Sequence, residues 1–283
     1  MIPAFLNPLA GNAEAAREAL LGVGGFDIRE VSPHTLADHV RAAVSGGASR
    51  ILVAGGDGTI GGAAGVLAGT GVELAILPCG TLNHLARDLE LPMELADAAR
   101  VAMNGVAVPV DAAVVNDRIF LNTSSVGAYV TFVRARERLE SRLGYHVASA
   151  VAGVRLLFRL PLFRVTLRVE GNTREYLTPL VFIGVGEREL QLPSLGARVP
   201  NGRTGLHVMV IRRRSGARTL ATALAAAARG VGAVARTPAM DVFLVDSCQI
   251  EPRTRTAAVD GELVTVTPPL VYRHIAGQLR IVT

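Results

Sequence analysis

Three times before residue 90 the chain runs an apolar, strand-like segment into a turn of Gly, Asn and Pro, then into a helix-like stretch. Ile2–Leu6 ends at Asn7-Pro8 and is followed by a helical pattern over Ala13–Leu21. Arg50–Ala54 ends at Gly55-Gly56, and the small residues of Ile60–Leu67 suit a helix packed closely on a sheet. Leu74–Leu77 ends at Pro78 and is followed by helical patterns over Leu82–Leu89 and Met93–Met103, parted by Pro92. Repeated strand–helix alternation specifies an open α/β sheet with helices covering its faces.

The pattern changes near residue 123. Arg134–Phe158 reads as a helix, with Arg134, Arg138 and Arg142 at i, i+4 spacing. Short β-rich runs follow at Arg164–Val169, Leu180–Val185, Gly205–Ile211, Asp241–Leu244, Ser247–Ile250 and Leu263–Val266. One alanine-rich helical stretch, Thr219–Arg229, interrupts them. Short strands between turn signals indicate a sandwich-like, mostly β second domain. The expected division is an α/β domain over 1–122 and a β domain over 123–274. Hydrophobic residues make up 50% of the 283 and charged residues 19%, which excludes disorder and supplies a core for both domains.

Composition also removes chemistries. Two cysteines, Cys79 and Cys248, exclude a disulfide framework and a cysteine-rich zinc site. All 29 basic residues are arginine. That excludes Schiff-base chemistry, a P-loop lysine and the strand lysine of protein kinases. A net charge of +5 suits an anionic partner. Nucleic acid is disfavoured, because aromatics are only 4%, Trp is absent and no dense basic run occurs. Mean hydropathy is high at +0.37, yet no uncharged run reaches the roughly 18 residues of a spanning helix. Met1–Glu14 has no basic stretch of the signal-peptide kind. The expectation is a cytoplasmic protein that associates peripherally with membrane.

Candidate chemistry lies in the turns. Gly55-Gly56-Asp57-Gly58-Thr59 follows an apolar strand and opens a helix. Glycines there let backbone N–H groups approach phosphate, and the helix N-terminus favours an anion. Asp57 would be repelled by phosphate unless it serves a metal or a polar network. The same run also reads as an ordinary strand–turn–helix with Asp57 as N-cap. Two more turns, Asn7-Pro8-Leu9-Ala10-Gly11 and Pro78-Cys79-Gly80-Thr81-Leu82-Asn83, also end strands. Ligands of open α/β sheets bind at the carboxyl ends of strands. Neither a P-loop nor a G-x-G-x-x-G fingerprint is present.

With a late Asp260-Gly261-Glu262, these segments resemble the bacterial diacylglycerol/lipid kinase family, a relative of sphingosine and ceramide kinases and more distantly of NAD kinases. The segments stand in that family's order and extend over nearly the whole chain. The resemblance implies an N-terminal nucleotide-binding domain and a C-terminal β-sandwich lipid-binding domain, with the reaction centre in the cleft between them. It implies that residues 275–283 return to the first domain. It places ATP on Asn7, on Gly56, Asp57, Gly58, Thr59, Ile60, Gly61 and Gly62, and on Gly80, Thr81 and Asn83. It makes Glu262 the general base, with Asp57 supporting a Mg²⁺ that arrives with ATP. Asp-Gly before Glu262 is independently a hairpin signal.

Three departures stand out. Gly61-Gly62 replaces an Asn-Glu pair, and His84 replaces an Asp. Thr204-Gly205-Leu206 lacks the acid of an Asp-Gly-Leu turn, so no structural Mg²⁺ is expected there. His84 reads as a packing residue and Cys79 as a small buried hydrophobe. Arg212-Arg213-Arg214 is either a solvated turn or, with Arg155, Arg159 and Arg164, a surface for anionic headgroups. Phe158, Leu160, Leu162 and Phe163 beside it are either interfacial or core. The expected activity is ATP-dependent phosphorylation of a hydroxyl of diacylglycerol or a related membrane lipid. The alternatives are a NAD kinase and a non-catalytic lipid- or nucleotide-binding protein of the same fold. The sequence does not fix the oligomeric state; homodimers are common in the family it resembles.

Overall fold

The structure, a computed structural model, describes residues 1–81, 83–158, 162–190, 195–199, 202–212 and 240–283. The chain divides into two units. Unit 1 is Met1–Ala112, Arg118–Leu121 and Ile275–Thr283, and unit 2 is Ala113–Asp117 and Asn122–His274. The expected alanine-rich helix, together with Arg159, Leu160, Arg213 and Arg214, lies outside the described residues.

Unit 1 runs β1 (Ile2–Leu6), α1 (Ala13–Val23), β2 (Phe26–Glu30), α2 (Leu36–Ser45), β3 (Arg50–Gly55), α3 (Asp57–Leu67), β4 (Glu73–Pro78), α4 (His84–Asp88) and α5 (Leu95–Asn104). β5 (Ala107–Val115) and β6 (Arg118–Phe120) follow. The core strands are parallel in the order β2-β1-β3-β4. Strand alternation sorts the apolar residues onto two faces. Phe5, Ile51, Val53, Leu74 and Ile76 share one core with Val40 of α2 and Ile60, Ala63, Ala64 and Leu67 of α3. Leu6, Leu52, Ala54, Ala75 and Leu77 share the other with Ala16 and Leu20 of α1 and Ala98, Ala99 and Ala102 of α5. β1, β3 and β4 are therefore apolar on both sides, and the sheet is doubly wound.

Arg50 braces the lower edge of this unit. Its guanidinium donates to Glu73 at 2.8 Å and to the carbonyls of Ala102, Met103 and Gly105 at 3.0, 2.8 and 2.9 Å. Those three carbonyls lie at the C-terminal end of α5, where a helix leaves acceptors unpaired and welcomes positive charge.

Unit 2 begins with β7 (Thr123–Gly127) and α6 (Ala128–Phe158), whose helical dihedrals break at Gly144 (φ 71°, ψ 164°). Then come β8 (Phe163–Val169), β9 (Asn172–Thr178), β10 (Leu180–Val185), β11 (Arg188–Leu190), β12 (Leu195–Arg198) and β13 (Leu206–Ile211). The chain ends with β14 (Met240–Val245), β15 (Ser247–Pro252), β16 (Thr256–Val259), β17 (Glu262–Thr265) and β18 (Leu270–Val282). Among the described residues one antiparallel sheet has the order β14-β13-β10-β7-β16-β17. A second joins the first residues of β18 to β15, β8 and β9, again antiparallel. Side chains tie the two sheets face to face. Tyr176 of β9 donates to Asp241 of β14 at 2.8 Å. Tyr272 of β18 lies 3.0 Å from Ser124 of β7, fully buried. This is the mostly β second domain expected from the pattern. The last residues of β18 belong to unit 1, where Arg280 and Ile281 pair in parallel with Glu73 and Leu74 of β4.

Candidate functional site

In unit 1 the chain passes from β1 to β2 on one side of β1 and to β3 on the other. The carboxyl ends of β1 and β3 thus flank a topological switch point, the place where open α/β sheets bind ligands. Asn7 and the Gly55–Thr59 run stand there. Asn7 is buried; its Nδ2 donates to Thr59 Oγ1 at 3.0 Å, and its Oδ1 accepts the Leu9 N–H at 3.0 Å. The amide therefore fastens the first loop to the second.

The glycines act through what they lack. A Cβ on Gly80 would stand 2.4 Å from the Gly56 Cα and 2.9 Å from Asn83 Oδ1. A Cβ on Gly55 would stand 2.6 Å from Thr59 Cβ. The second and third loops thus touch backbone to backbone. Gly56 is the N-cap of α3, and no side chain caps that helix. The first-turn N–H groups of Asp57, Gly58 and Thr59 are left for an anion. Ile60 differs from the other residues of the run. Its side chain is in the core and its N–H donates to the Gly56 carbonyl at 3.0 Å, so it holds the loop and offers no donor to a nucleotide.

Asp57 is the first residue of α3, not its cap. Its two carboxylate oxygens accept the N–H groups of His84 at 3.1 Å and Leu85 at 3.2 Å. The carboxylate caps a different helix, α4, and clamps the third loop onto the second. Asn83 completes that loop. It sits at φ 51° and is buried, accepts the Gly80 N–H at 2.9 Å and donates to the Gly80 and Pro78 carbonyls at 2.9 and 3.4 Å. Thr81 is exposed, as is Gly62, where an added Cβ would meet nothing within 4 Å. The expectation that His84 packs is corrected. Its side chain is exposed, and its backbone N–H is the part in use. Cys79 is buried, which pushes its thiol up to about 12 and leaves it unreactive at neutral pH.

In unit 2, Asp260 and Gly261 both have positive φ, 46° and 86°, and turn β16 into β17 as a tight hairpin. Asp260 anchors the turn to the start of β7, accepting the N–H groups of Asn122 and Thr123, both at 2.9 Å. Glu262 opens β17 opposite Val259 and is exposed. Reading the sequence missed two residues of this unit. Asn122 is 6% exposed, and its carbonyl accepts the Val185 N–H at 2.9 Å. Arg188 is 3% exposed, donates from Nε to the Val185 carbonyl at 2.8 Å, and lies against Gly184, where a Cβ would stand 2.4 Å from its Cγ. Its backbone N–H donates to His207 Nδ1 at 2.9 Å. Burial, opposed by Glu187, holds the His207 pKa below its ordinary value. An Arg two residues after Gly186 carried no local signal of burial.

Among the described residues, no group of three or more His, Cys, Asp or Glu could hold a metal ion. No described helix is long and apolar enough to cross a membrane. Of the expected lipid-facing residues, Leu162 and Arg164 are exposed, while Arg212 is ion-paired with Asp241.

Residues 3–115 match the family model of the diacylglycerol kinase catalytic domain. Over those residues the chain is similar to the bacterial lipid kinases. It is 33% identical over 156 residues to a "Probable lipid kinase YegS-like" of Cronobacter sakazakii, covering 53% of this chain and 51% of that one. It is 30% identical over 202 residues to a "Diacylglycerol kinase" of Mycobacterium tuberculosis, covering 62% of this chain and 65% of that one. The matches thus span between half and two thirds of those relatives. The fold is similar to the crystal structure of a "putative diacylglycerol kinase" from Bacillus anthracis, with a TM-score of 0.77 and 21% identity over 99% of this chain and 96% of that one. The three loops just described all lie within the matched residues.

Proposed function

We propose that this protein is an ATP-dependent lipid kinase that phosphorylates a hydroxyl of diacylglycerol or a related membrane lipid. The observation that carries the reading is the contact of Gly56 with Gly80 beside the uncapped start of α3. Two loops that meet at glycines present backbone N–H groups at a switch point, and the donors suit phosphate. Asn7, Asp57 and Asn83 fix the loops, so their donors are in place before nucleotide binds. Thr59 and Thr81 offer hydroxyls to the same ligand.

Phosphoryl transfer passes through a loose transition state, and positioning with charge neutralisation does most of the work. In the forward step Glu262 takes the proton of the acceptor hydroxyl. The oxygen bonds to the γ-phosphorus, the bond from that phosphorus to the β-phosphate bridge oxygen breaks, and ADP leaves. Magnesium, when bound, supplies neutralisation of phosphate charge. Asp57 fits as a support for it rather than a cage: one carboxylate, already accepting two N–H groups, leaves most of the coordination to phosphate and water. Leu162 and Arg164, exposed two residues apart, suit contact with an anionic membrane surface.

The test is radiolabelled ATP offered with mixed lipids, and separately with NAD. Label in the lipid extract supports the reading. Label in NAD makes the protein a NAD kinase, and label in neither makes it a binding protein of this fold.

A further inference from the structure

The second sheet of unit 2 has an outward face. On β8, Val165, Leu167 and Val169 are buried, so Arg164, Thr166 and Arg168 turn the other way by alternation. An open pocket of about 450 Å³ lies there on β8, β9 and β15, within the roughly 300–1,000 Å³ of small-molecule sites. Its lining includes Arg164, Thr166, Glu175, Leu177, Glu251 and Arg253.

The charges stand in two rows. Glu251 of β15, Thr166 of β8 and Glu175 of β9 are directly opposed. Two residues along, Arg164 stands opposite Leu177, and Arg253 follows Pro252, the partner of Val165, so it leaves β15 beside Arg164. Glu251 is already engaged, with Arg168 at 3.2 Å and Gln249 at 3.1 Å. Arg164, Arg253 and Glu175 are exposed, and among the described residues none of the three has an ion pair. Two unpaired guanidinium groups side by side repel, so folding alone gains nothing from placing them there. The Glu175 carboxylate is left for a cation. Apolar surface continues the face: Leu177 is half-buried, and Leu162, two residues before Arg164, is 44% exposed.

We propose that this pocket binds the headgroup of a zwitterionic membrane phospholipid that carries a primary ammonium. The phosphate goes between Arg164 and Arg253, whose guanidinium forks suit phosphate oxygens. The ammonium goes to Glu175, and the glycerol end lies along Leu177 and Leu162. A purely anionic headgroup would satisfy the arginines and be repelled by Glu175. A quaternary ammonium has no N–H to give the carboxylate. An anionic membrane surface draws the arginines in, and the pocket takes one headgroup from it. Glu262 stands on β17 of the other sheet, so this site goes beyond the proposed kinase reaction and does not depend on it.

The test titrates the full chain, without nucleotide, by calorimetry with short-chain lipids below their micelle concentration. The probes are dihexanoylphosphatidylethanolamine, dihexanoylphosphatidylcholine and dihexanoylphosphatidylglycerol, with phosphoethanolamine as the free headgroup. Wild type is expected to bind the ethanolamine lipid about fivefold more tightly than the other two lipids and the free headgroup, the upper end for an exposed ion pair. Glu175→Gln is expected to remove the preference over the glycerol lipid. Arg164→Gln and Arg253→Gln are each expected to weaken the ethanolamine lipid about tenfold, as for a charge-assisted hydrogen bond, and to melt no lower than wild type, since each relieves a like-charge neighbour. Equal or tighter binding of the glycerol or choline lipid overturns the headgroup assignment. Equal binding of phosphoethanolamine overturns the lipid as its source. No binding, or binding unchanged in all three variants, overturns the site. None of these outcomes touches the kinase reading, because no turnover is measured.

Discussion

The three loops of unit 1 and the Glu262 hairpin of unit 2 are built on opposite principles. The loops are shaped by side chains that are absent, at Gly55, Gly56 and Gly80, and by Asn residues that bond backbone a few residues away. The hairpin is shaped by the register of four strands drawn from distant parts of the chain. One region offers backbone N–H groups and suits an anion of fixed shape. The other offers a side chain, the exposed carboxylate of Glu262, and suits chemistry on a hydroxyl. Under the proposed function this is a division of labour in which the nucleotide falls to backbone and the acceptor to a side chain.

That division fails or stands on Glu262 first. Glu262→Gln keeps the size and a hydrogen-bonding oxygen but cannot take a proton. The expected loss is roughly 10²–10⁴-fold in kcat, with the melt and nucleotide binding near wild type, since the side chain is exposed at the start of an edge strand. Steady-state lipid phosphorylation with a nucleotide-binding titration reads it. More than a tenth of wild-type kcat, with normal binding, removes Glu262 as base.

The converse break is Gly80→Ala. Its Cβ would collide with the backbone of Gly56, which cannot rotate away as a side chain would. The two loops must part, at about 1–3 kcal/mol of overpacking, and ATP binding should fall while unit 2 is untouched. Normal ATP affinity in this variant would show that the backbone contact is not the nucleotide site. Asp57→Asn is milder in structure than in chemistry. It loses the negative charge and offers an NH₂ where an N–H now points, so one clamp on α4 is lost. A stability loss of about 1–2 kcal/mol is expected, as for a charge-assisted hydrogen bond, together with lost turnover. A melt unchanged alongside lost turnover would assign Asp57 to metal support alone.

How much of this was legible follows the same line. Gly-Gly-Asp-Gly-Thr, Asn-Pro and Pro-Cys-Gly-Thr-Leu-Asn are local, and local spacing is what a sequence displays. The apolar strands β1, β3 and β4 were legible for that reason too. β2 and α2 were not anticipated, because three of the five residues of Phe26–Glu30 are charged and the segment reads as a strand only once β1 is beside it. β7 and β16 escaped because Thr123-Ser124-Ser125 and Thr256-Ala257-Ala258 lack the β-branched apolar run that marks a strand; cross-sheet neighbours such as Tyr272 make them so. Asp57 was legible as important and illegible in its task, since its partners His84 and Leu85 lie 27 and 28 residues away. Asn122 had no local signal of burial; it is buried because Val185 of β10 pairs beside it.

Unit 2 also has a pH response of its own. His207 accepts the Arg188 N–H through Nδ1, which requires the neutral ring. Burial holds its folded pKa below the ordinary value, against the pull of Glu187. Between that lowered value and about 6.5, the unfolded chain binds the proton more readily, so stability falls as pH drops through this window. Melts at pH 7.5 and 5.5 should show a drop that His207→Gln reduces. An equal drop in the variant would place the acid sensitivity elsewhere.

The smallest effect is the most selective probe of the loops. Gly62 lies in α3, exposed, with open space where a Cβ would be. Glycine inside a helix costs about 0.5–1 kcal/mol relative to alanine through backbone entropy. Gly62→Ala should therefore stabilise unit 1 by about that amount, and a melt reads it directly. Gly80 and Gly62 are then a matched pair. At one the missing side chain makes room for backbone of the same protein; at the other it makes room for nothing the protein itself supplies. If Gly62→Ala raises the melt and leaves the KM for ATP unchanged, the nucleotide is held by the Gly56–Gly80 contact and the start of α3 alone. If it raises the melt and weakens ATP at the same time, the open space at Gly62 is part of the nucleotide site, and the site extends a full turn into the helix.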